Sequence, residues 1–300
     1  MEPAPAFRPQ DNIRGIIMMV GGFGSFAVAD TIAKVLTASY HPIQIVATRQ
    51  LGLLVGAAVL IAFYGPGLLR SVAPKFQIAR GLVAIVSAVC FVIAIKYVPL
   101  ADAVAVSFVA PFMVTILGAL LLGEPVGRRR WIAVSAGFVG ALIIVRPGLG
   151  IFHPAIFLVL LAALAFAFRQ VISRYIGDKD RTETTMAYTA LTTVVILAIP
   201  LPLFWQVPNS GVHLLMMIAL AAFAGFGEYL FIRALEVAHA VVLAPMHYSL
   251  IIFGTFWGFV VFKDLPDLWT WVGSFVIISS GLYMLYREYQ LRKSRALNDT

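Results

Sequence analysis

Charge is what this chain has least of. Only 12% of its 300 residues are Asp, Glu, Lys or Arg, against 61% hydrophobic. With a mean hydropathy of +0.94, that is more apolar surface than a soluble fold of this size can hide. Lipid is the expected solvent. Cysteine is nearly absent too: Cys90 alone, inside an apolar run, leaves no internal disulfide and no cysteine-based metal site, and it reads as a small core residue. Neither a HExxH zinc motif nor a Gly-x-Ser-x-Gly elbow occurs, so the common hydrolase signatures are missing. Long polar stretches and low-complexity tracts are missing as well, which excludes an independent soluble domain. No cofactor and no metal are expected.

The scarce charges lean to one sign, +8 at neutral pH with a pI near 9.8. Basic chains of this kind can bind nucleic acid, but here the basic residues sit at the ends of apolar runs rather than on one face or in an aromatic groove. No nucleic-acid partner is expected. Ala27-Val28-Ala29 before Asp30 has the small-x-small form of a signal-peptidase site. It reads as uncleaved, because Glu2, Asp11 and several prolines precede it and the apolar run continues past it.

What the chain does have is apolar runs of one length. The stretch Pro99 to Gly148 holds two of them, joined by the polar turn Gly123-Glu124-Pro125-Val126-Gly127 and the cluster Arg128, Arg129 and Arg130. At about 1.5 Å per residue roughly 20 residues cross a 30 Å hydrocarbon core, so this is a transmembrane helical hairpin with its arginines in the cytoplasm. About 140 residues later the pattern returns, with Asp264 answering Glu124 and Gly258 answering Gly118, the mark of an internal repeat.

Hydropathy divides the chain into ten spans, roughly 14–38, 42–64, 77–97, 99–122, 129–147, 153–175, 183–204, 211–235, 239–262 and 267–286. One set of span ends carries most of the basic residues, Arg14, Arg70, Arg80, Arg174 and Arg233 among them, and the other only Lys34, Lys96, Arg146 and Lys263. The excess is about four to one, which places both termini in the cytoplasm. The expected class is therefore an all-α membrane protein of ten transmembrane helices. Its parts are a cytoplasmic segment over 1–13, five-helix repeats over 14–147 and 153–286, and a basic cytoplasmic tail over 287–300. Five spans per half make the repeats inverted, a topology that itself suggests alternating access. The pairs Gly52 and Gly56, and Gly254 and Gly258, are spaced one turn apart and suit close helix approach.

PLADA from Pro99, the run ending LLLGE at Glu124, GRRRW ending at Trp131 and RPG from Arg146 resemble the EamA-type branch of the drug/metabolite transporter superfamily. FIRAL from Phe231, LAPMHYS from Leu243, GFVVFKDLPD and SGLYMLYRE continue the resemblance over nearly the whole chain. It implies ten helices in two inverted five-helix repeats, cytoplasmic termini and a central cavity for a small organic metabolite; the basic chain without a lumenal signal suggests a bacterial inner membrane. Members export amino acids and their derivatives or take up vitamins and nucleoside-like metabolites. The expected function is thus a secondary transporter exporting an amino acid or derivative, with uptake of a cofactor-like compound such as riboflavin or S-adenosylmethionine as the alternative. Glu228 departs from the histidine or neutral residue that the resemblance implies there. Oligomeric state is silent.

An ionisable group in hydrocarbon costs several kcal/mol unless it is paired or lines water, so each is a candidate by default. Asp30 and Arg49 lie roughly 12 Å from the outer face. They form an outer gate or hold a zwitterion, or they are only a structural pair; Lys34, one turn from Asp30, is the alternative partner that would free Arg49. Arg169 and Glu228 lie about 10 Å from the inner face, giving a second gate, unless Arg169 merely snorkels. His247 is at the depth of Glu228, so the two could share a proton and couple transport to a proton gradient, or His247 is a hydrogen-bonded packing residue. Pro111 and Pro245 permit helix bends beside a cavity. Tyr248 and Trp257 could stack on a flat substrate or serve in packing. Asp102 reads as a solvated rim residue. Gly225-Phe226-Gly227-Glu228 vaguely resembles a membrane aspartyl protease site, but that chemistry needs a second carboxylate at the same depth, and Asp30 lies toward the opposite face. No enzymatic activity is expected.

Overall fold

In the computed structural model, residues 9–123, 127–145, 153–176, 180–238 and 243–298 are described. Glu124, Arg146 and the Arg-Pro-Gly motif that Arg146 opens lie outside them. Among the described residues the chain is helical and no strand occurs. The helices are α1 (Pro9–Leu36), α2 (Pro42–Tyr64), α3 (Pro74–Tyr97), α4 (Leu100–Ser107), α5 (Ala110–Leu122) and α6 (Arg128–Val145). They are followed by α7 (Ile156–Ile176), α8 (Thr182–Ala198), α9 (Leu201–Phe204), α10 (Gly211–Val237), α11 (Ser249–Trp257) and α12 (Leu268–Asn298). Among the described residues, six helical stretches are long and apolar enough to cross a membrane, with α4 and α5 counted together, and four shorter apolar ones accompany them.

Proline and glycine set the joints. Pro42, Pro74 and Pro111 stand at helix starts, where a missing N–H costs nothing. Gly65 and Gly123 end α2 and α5 with φ of 78° and 65°, a left-handed backbone that glycine adopts freely. The span expected over 99–122 is two helices: α4 ends at Ser107, whose hydroxyl donates to the Val104 carbonyl at 2.6 Å, and Pro111 opens α5. The region of Pro245 is likewise broken, into a 3₁₀ turn (Ala244–Tyr248), α11 and a π turn (Gly258–Phe262). The run expected over 183–204 stops at Ala198, because Pro200 has no N–H with which to continue the helix ladder. The last helix behaves oppositely. It runs to Asn298 rather than stopping near 286, since nothing after Gly281 is a proline or glycine.

The exterior is apolar. Phe63 and Leu203 are each 82% exposed, as expected where lipid tails replace water. The interior also holds polar groups: Asp30, Gln44, Gln50 and Gln77 are buried, and Thr31, Thr48, Thr115 and Thr189 each bond the carbonyl one turn back. Helix α1 packs along α10, and α3 along α7; α2 touches α8 and α10, α8 touches α3, and α6 pairs with α12. At the α2–α10 crossing a Cβ on Gly52 would lie 1.8 Å from the Ala221 carbonyl oxygen, and one on Gly225 would lie 2.8 Å from that of Gly52. Only glycine permits that approach. Gly56, expected to share this role, faces open space, so the working partner of Gly52 is across the crossing rather than one turn along α2.

Candidate functional site

Five charged side chains from α1, α2, α3, α7 and α10 converge in the middle of the bundle. The first two pair directly: Arg49 Nη1 donates to Asp30 Oδ1, with the side chains 19% and 9% exposed. The Arg49 guanidinium also lies 5.9 Å from the Phe26 ring, a contact that suits a weakly hydrated planar cation. Lys34 takes other partners. Its ammonium is 3.6 Å from Asp264, donates to the Val98 carbonyl at 3.0 Å and sits 4.8 Å from the Phe262 ring. Asp102 is within its electrostatic reach. Of the two partners considered for Asp30, the structure therefore selects Arg49, and Lys34 ties the end of α1 to the connection before α12.

The other three groups are arranged more loosely. Arg80 of α3 donates from Nε to Ser173 Oγ of α7 at 2.7 Å and from Nη1 to Thr189 Oγ1 of α8, with a longer contact to the Thr185 carbonyl at 3.5 Å. Ser173 and Thr189 are themselves fixed, donating to the carbonyls of Arg169 and Thr185 at 2.8 Å each. Beside Arg80 a small cleft is lined by Leu53, Arg80, Met186, Thr189 and Glu228. Arg169 is within electrostatic reach of Glu228 and of Arg49, and Arg80 within reach of Arg169 and Glu228. The Arg169 guanidinium stands 4.9 Å from the Phe166 ring. Its Nε is buried with no hydrogen-bond partner among the described residues.

The candidates on the α10–α11 side pack among aromatics. His247 lies 4.5 Å from the Phe23 ring and edge-on to Phe231 at 5.9 Å, and it makes further contacts. Tyr248 stacks on Phe108 at 5.2 Å, its hydroxyl so close to the Gly281 backbone that a Cβ there would sit 1.6 Å from it. Trp257 meets Phe256 edge to face at 5.3 Å.

Two faces of the bundle are tied by hydrogen bonds. At the start of α2, Gln44 Nε2 donates to the Gln206 carbonyl at 2.7 Å and Gln206 N returns a bond to Gln44 Oε1 at 3.0 Å. Nearby, the Tyr40 hydroxyl accepts from Asn209 N at 2.9 Å and meets His213 Nδ1 at 2.9 Å. At the opposite face Asp180, between α7 and α8, accepts from Ser71 Oγ at 2.5 Å, Val72 N at 2.8 Å and Gln77 Nε2 at 2.8 Å. Partial burial pushes the Asp180 carboxyl up, but the bonds from Ser71, Gln77 and Val72 together outweigh that and hold it below the usual 3.8.

Arg80 and Asp180 are the residues that sequence reading missed. Arg80 lies about one turn inside the third span, and that depth was the available signal; it was absorbed into the basic excess that sets orientation. Asp180 sits in a connection, where a carboxylate is unremarkable by composition.

Comparison with known proteins gives a consistent picture. The EamA-like transporter family profile matches residues 13–146 and again 153–287. The S-adenosylmethionine uptake transporter of Rickettsia prowazekii is 23% identical over 94% of this chain and 96% of its own length. The riboflavin transporter of Vibrio cholerae is 26% identical over 94% of this chain and 96% of its own. The pseudopaline exporter CntI of Pseudomonas aeruginosa is 28% identical over 88% and 93%. A solved crystal structure, 19% identical, superposes with a TM-score of 0.60 over 91% of this chain and 96% of that one. It speaks for the fold alone.

Proposed function

Because this chain belongs to the EamA-like transporter family of the drug/metabolite transporter superfamily, we propose that it is a secondary transporter working by alternating access in a bacterial inner membrane, and that it exports an amino acid or a derivative of one. Relatives named as transporters, together with apolar helices, make it an integral membrane protein that handles small molecules. The observation that carries the finer reading is the set of five charged groups held inside a lipid-facing bundle, since that expense marks a substrate path. The two faces tied through Gln44 and Asp180 are the elements that would release in turn as the path opens to one side and then the other.

The reading includes ten transmembrane helices in two inverted repeats, over 14–147 and 153–286, with both termini in the cytoplasm. Three features support it. The family profile matches twice; the pairing of α1 with α10 has its counterpart in α7 with α3, as an exchange of halves requires; and the basic residues favour one face. A second reading, uptake of a cofactor-like metabolite, is favoured by relatives named for S-adenosylmethionine and riboflavin. Purified protein in liposomes, assayed for counterflow of labelled amino acids, S-adenosylmethionine and riboflavin, decides between them. Wild type carries one class; absence of flux of every compound by folded protein overturns the proposal.

A further inference from the structure

Arg80 and Glu228, which line the cleft, and Arg169, within electrostatic reach of both, leave a geometry that a purely structural ion pair would not. Glu228 faces the cleft yet makes no ion pair or hydrogen bond among the described residues, and Arg80 and Arg169 reach it only through space. Arg80 uses Nε and Nη1 on Ser173, Thr189 and Thr185, so its second terminal nitrogen keeps two N–H donors with no acceptor among the described residues. Arg169 Nε is buried and likewise without an acceptor. A buried charged donor left unmet is expensive, and a carboxylate facing two guanidinium groups would close the gap itself if closure were its only role. Donors for an anion and an acceptor for a cation stand across one small space.

We infer that the cleft between Arg80 and Glu228 is the head-group site for a zwitterionic substrate, whose carboxylate lies on the Arg80 guanidinium and whose ammonium lies on Glu228. Leu53 and Met186 supply the apolar wall beside the carbon that joins the two charges. The Asp30–Arg49 pair, already closed on itself, is not the head-group site. The inference rests on the transport reading and adds to it which residues bind and which charges they require.

The test uses full-length protein in liposomes, with counterflow of labelled L-amino acids and S-adenosylmethionine challenged by unlabelled parent compound, its carboxyl ester and its N-acetyl derivative. The parent is expected to compete about tenfold better than either derivative, because each lacks one charge-assisted contact. Glu228→Gln is expected to erase the advantage over the N-acetyl form while keeping that over the ester; Arg80→Gln does the reverse. A merely structural role cannot produce such crossed selectivity. Where Arg80→Gln fails to fold through loss of its bonds to Ser173 and Thr189, Glu228→Gln carries the test alone. Equal competition by all three forms, or flux of riboflavin alone, overturns the head-group site and leaves the transporter intact. No flux of any compound removes the transport reading and this site with it.

Discussion

In the Asp30–Arg49 pair a guanidinium touches a carboxylate directly, whereas around Glu228 the Arg80 guanidinium bonds Ser173, Thr189 and Thr185, Arg169 Nε has no partner among the described residues, and both reach the carboxylate only through space. Both regions lie in the same bundle and face the same penalty for charge away from water. The first meets it by contact between α1 and α2, and its result is a fixed crossing. The second leaves its donors open beside a cleft, and its result is room for something else to complete the pairing. The contrast separates a charge kept for structure from charges kept for a ligand, a distinction that burial alone does not make.

Breaking the closed pair should have the largest effect on stability. Arg49→Ala strands the Asp30 carboxylate, 9% exposed, and should cost about 3–5 kcal/mol, the usual penalty for removing one partner of a buried pair. Thermal melting in detergent checks it, and Arg49→Gln combined with Asp30→Asn should recover most of the loss. Next comes the contact that spaces the two regions. Gly52 lies one turn after Arg49, and Gly225 one turn before Glu228. Gly52→Ala drives a methyl into the Ala221 carbonyl, with an expected loss of about 1–3 kcal/mol together with loss of counterflow, since α2 and α10 must part.

Smaller still is the tie at Asp180. Its carboxyl is held below 3.8, so its contribution is fully present above that value and is lost as pH falls through the lower, folded one. The melting difference between wild type and Asp180→Asn should stay constant from pH 8 to about 5 and shrink only in acid. Glu228→Gln should move stability least, because its carboxylate has no direct partner among the described residues, while transport selectivity changes. A melting loss for Glu228→Gln equal to that of Arg49→Ala would erase the contrast between the regions.

How much of this was legible without coordinates depends on whether a property is local. Asp30, Arg49, Arg169 and Glu228 stood out from the sequence because a charge in an apolar run is expensive wherever it points. Who meets whom was not legible: rise per residue gives depth along a helix but not rotation about it, so Lys34 stood as the alternative to Arg49 for Asp30 until α2 was seen against α1. The same limit hid the open state of Glu228. Pro111 and Pro245 announced irregular backbone because a missing N–H is a local fact, whereas the pairing of Gly52 with Gly225 needed two helices to cross.

The sequence by itself determined that lipid is the solvent, that the chain is helical, and which charges must be sheltered, because hydropathy and backbone hydrogen bonding are satisfied within single segments. Only the tertiary structure decided that Arg49 closes on Asp30, that Lys34 goes to Asp264, that Arg80 and Glu228 line one cleft, and that Asp180 reaches back to Ser71. Those choices depend on helix rotation and crossing, and these are set by packing between segments far apart in the chain.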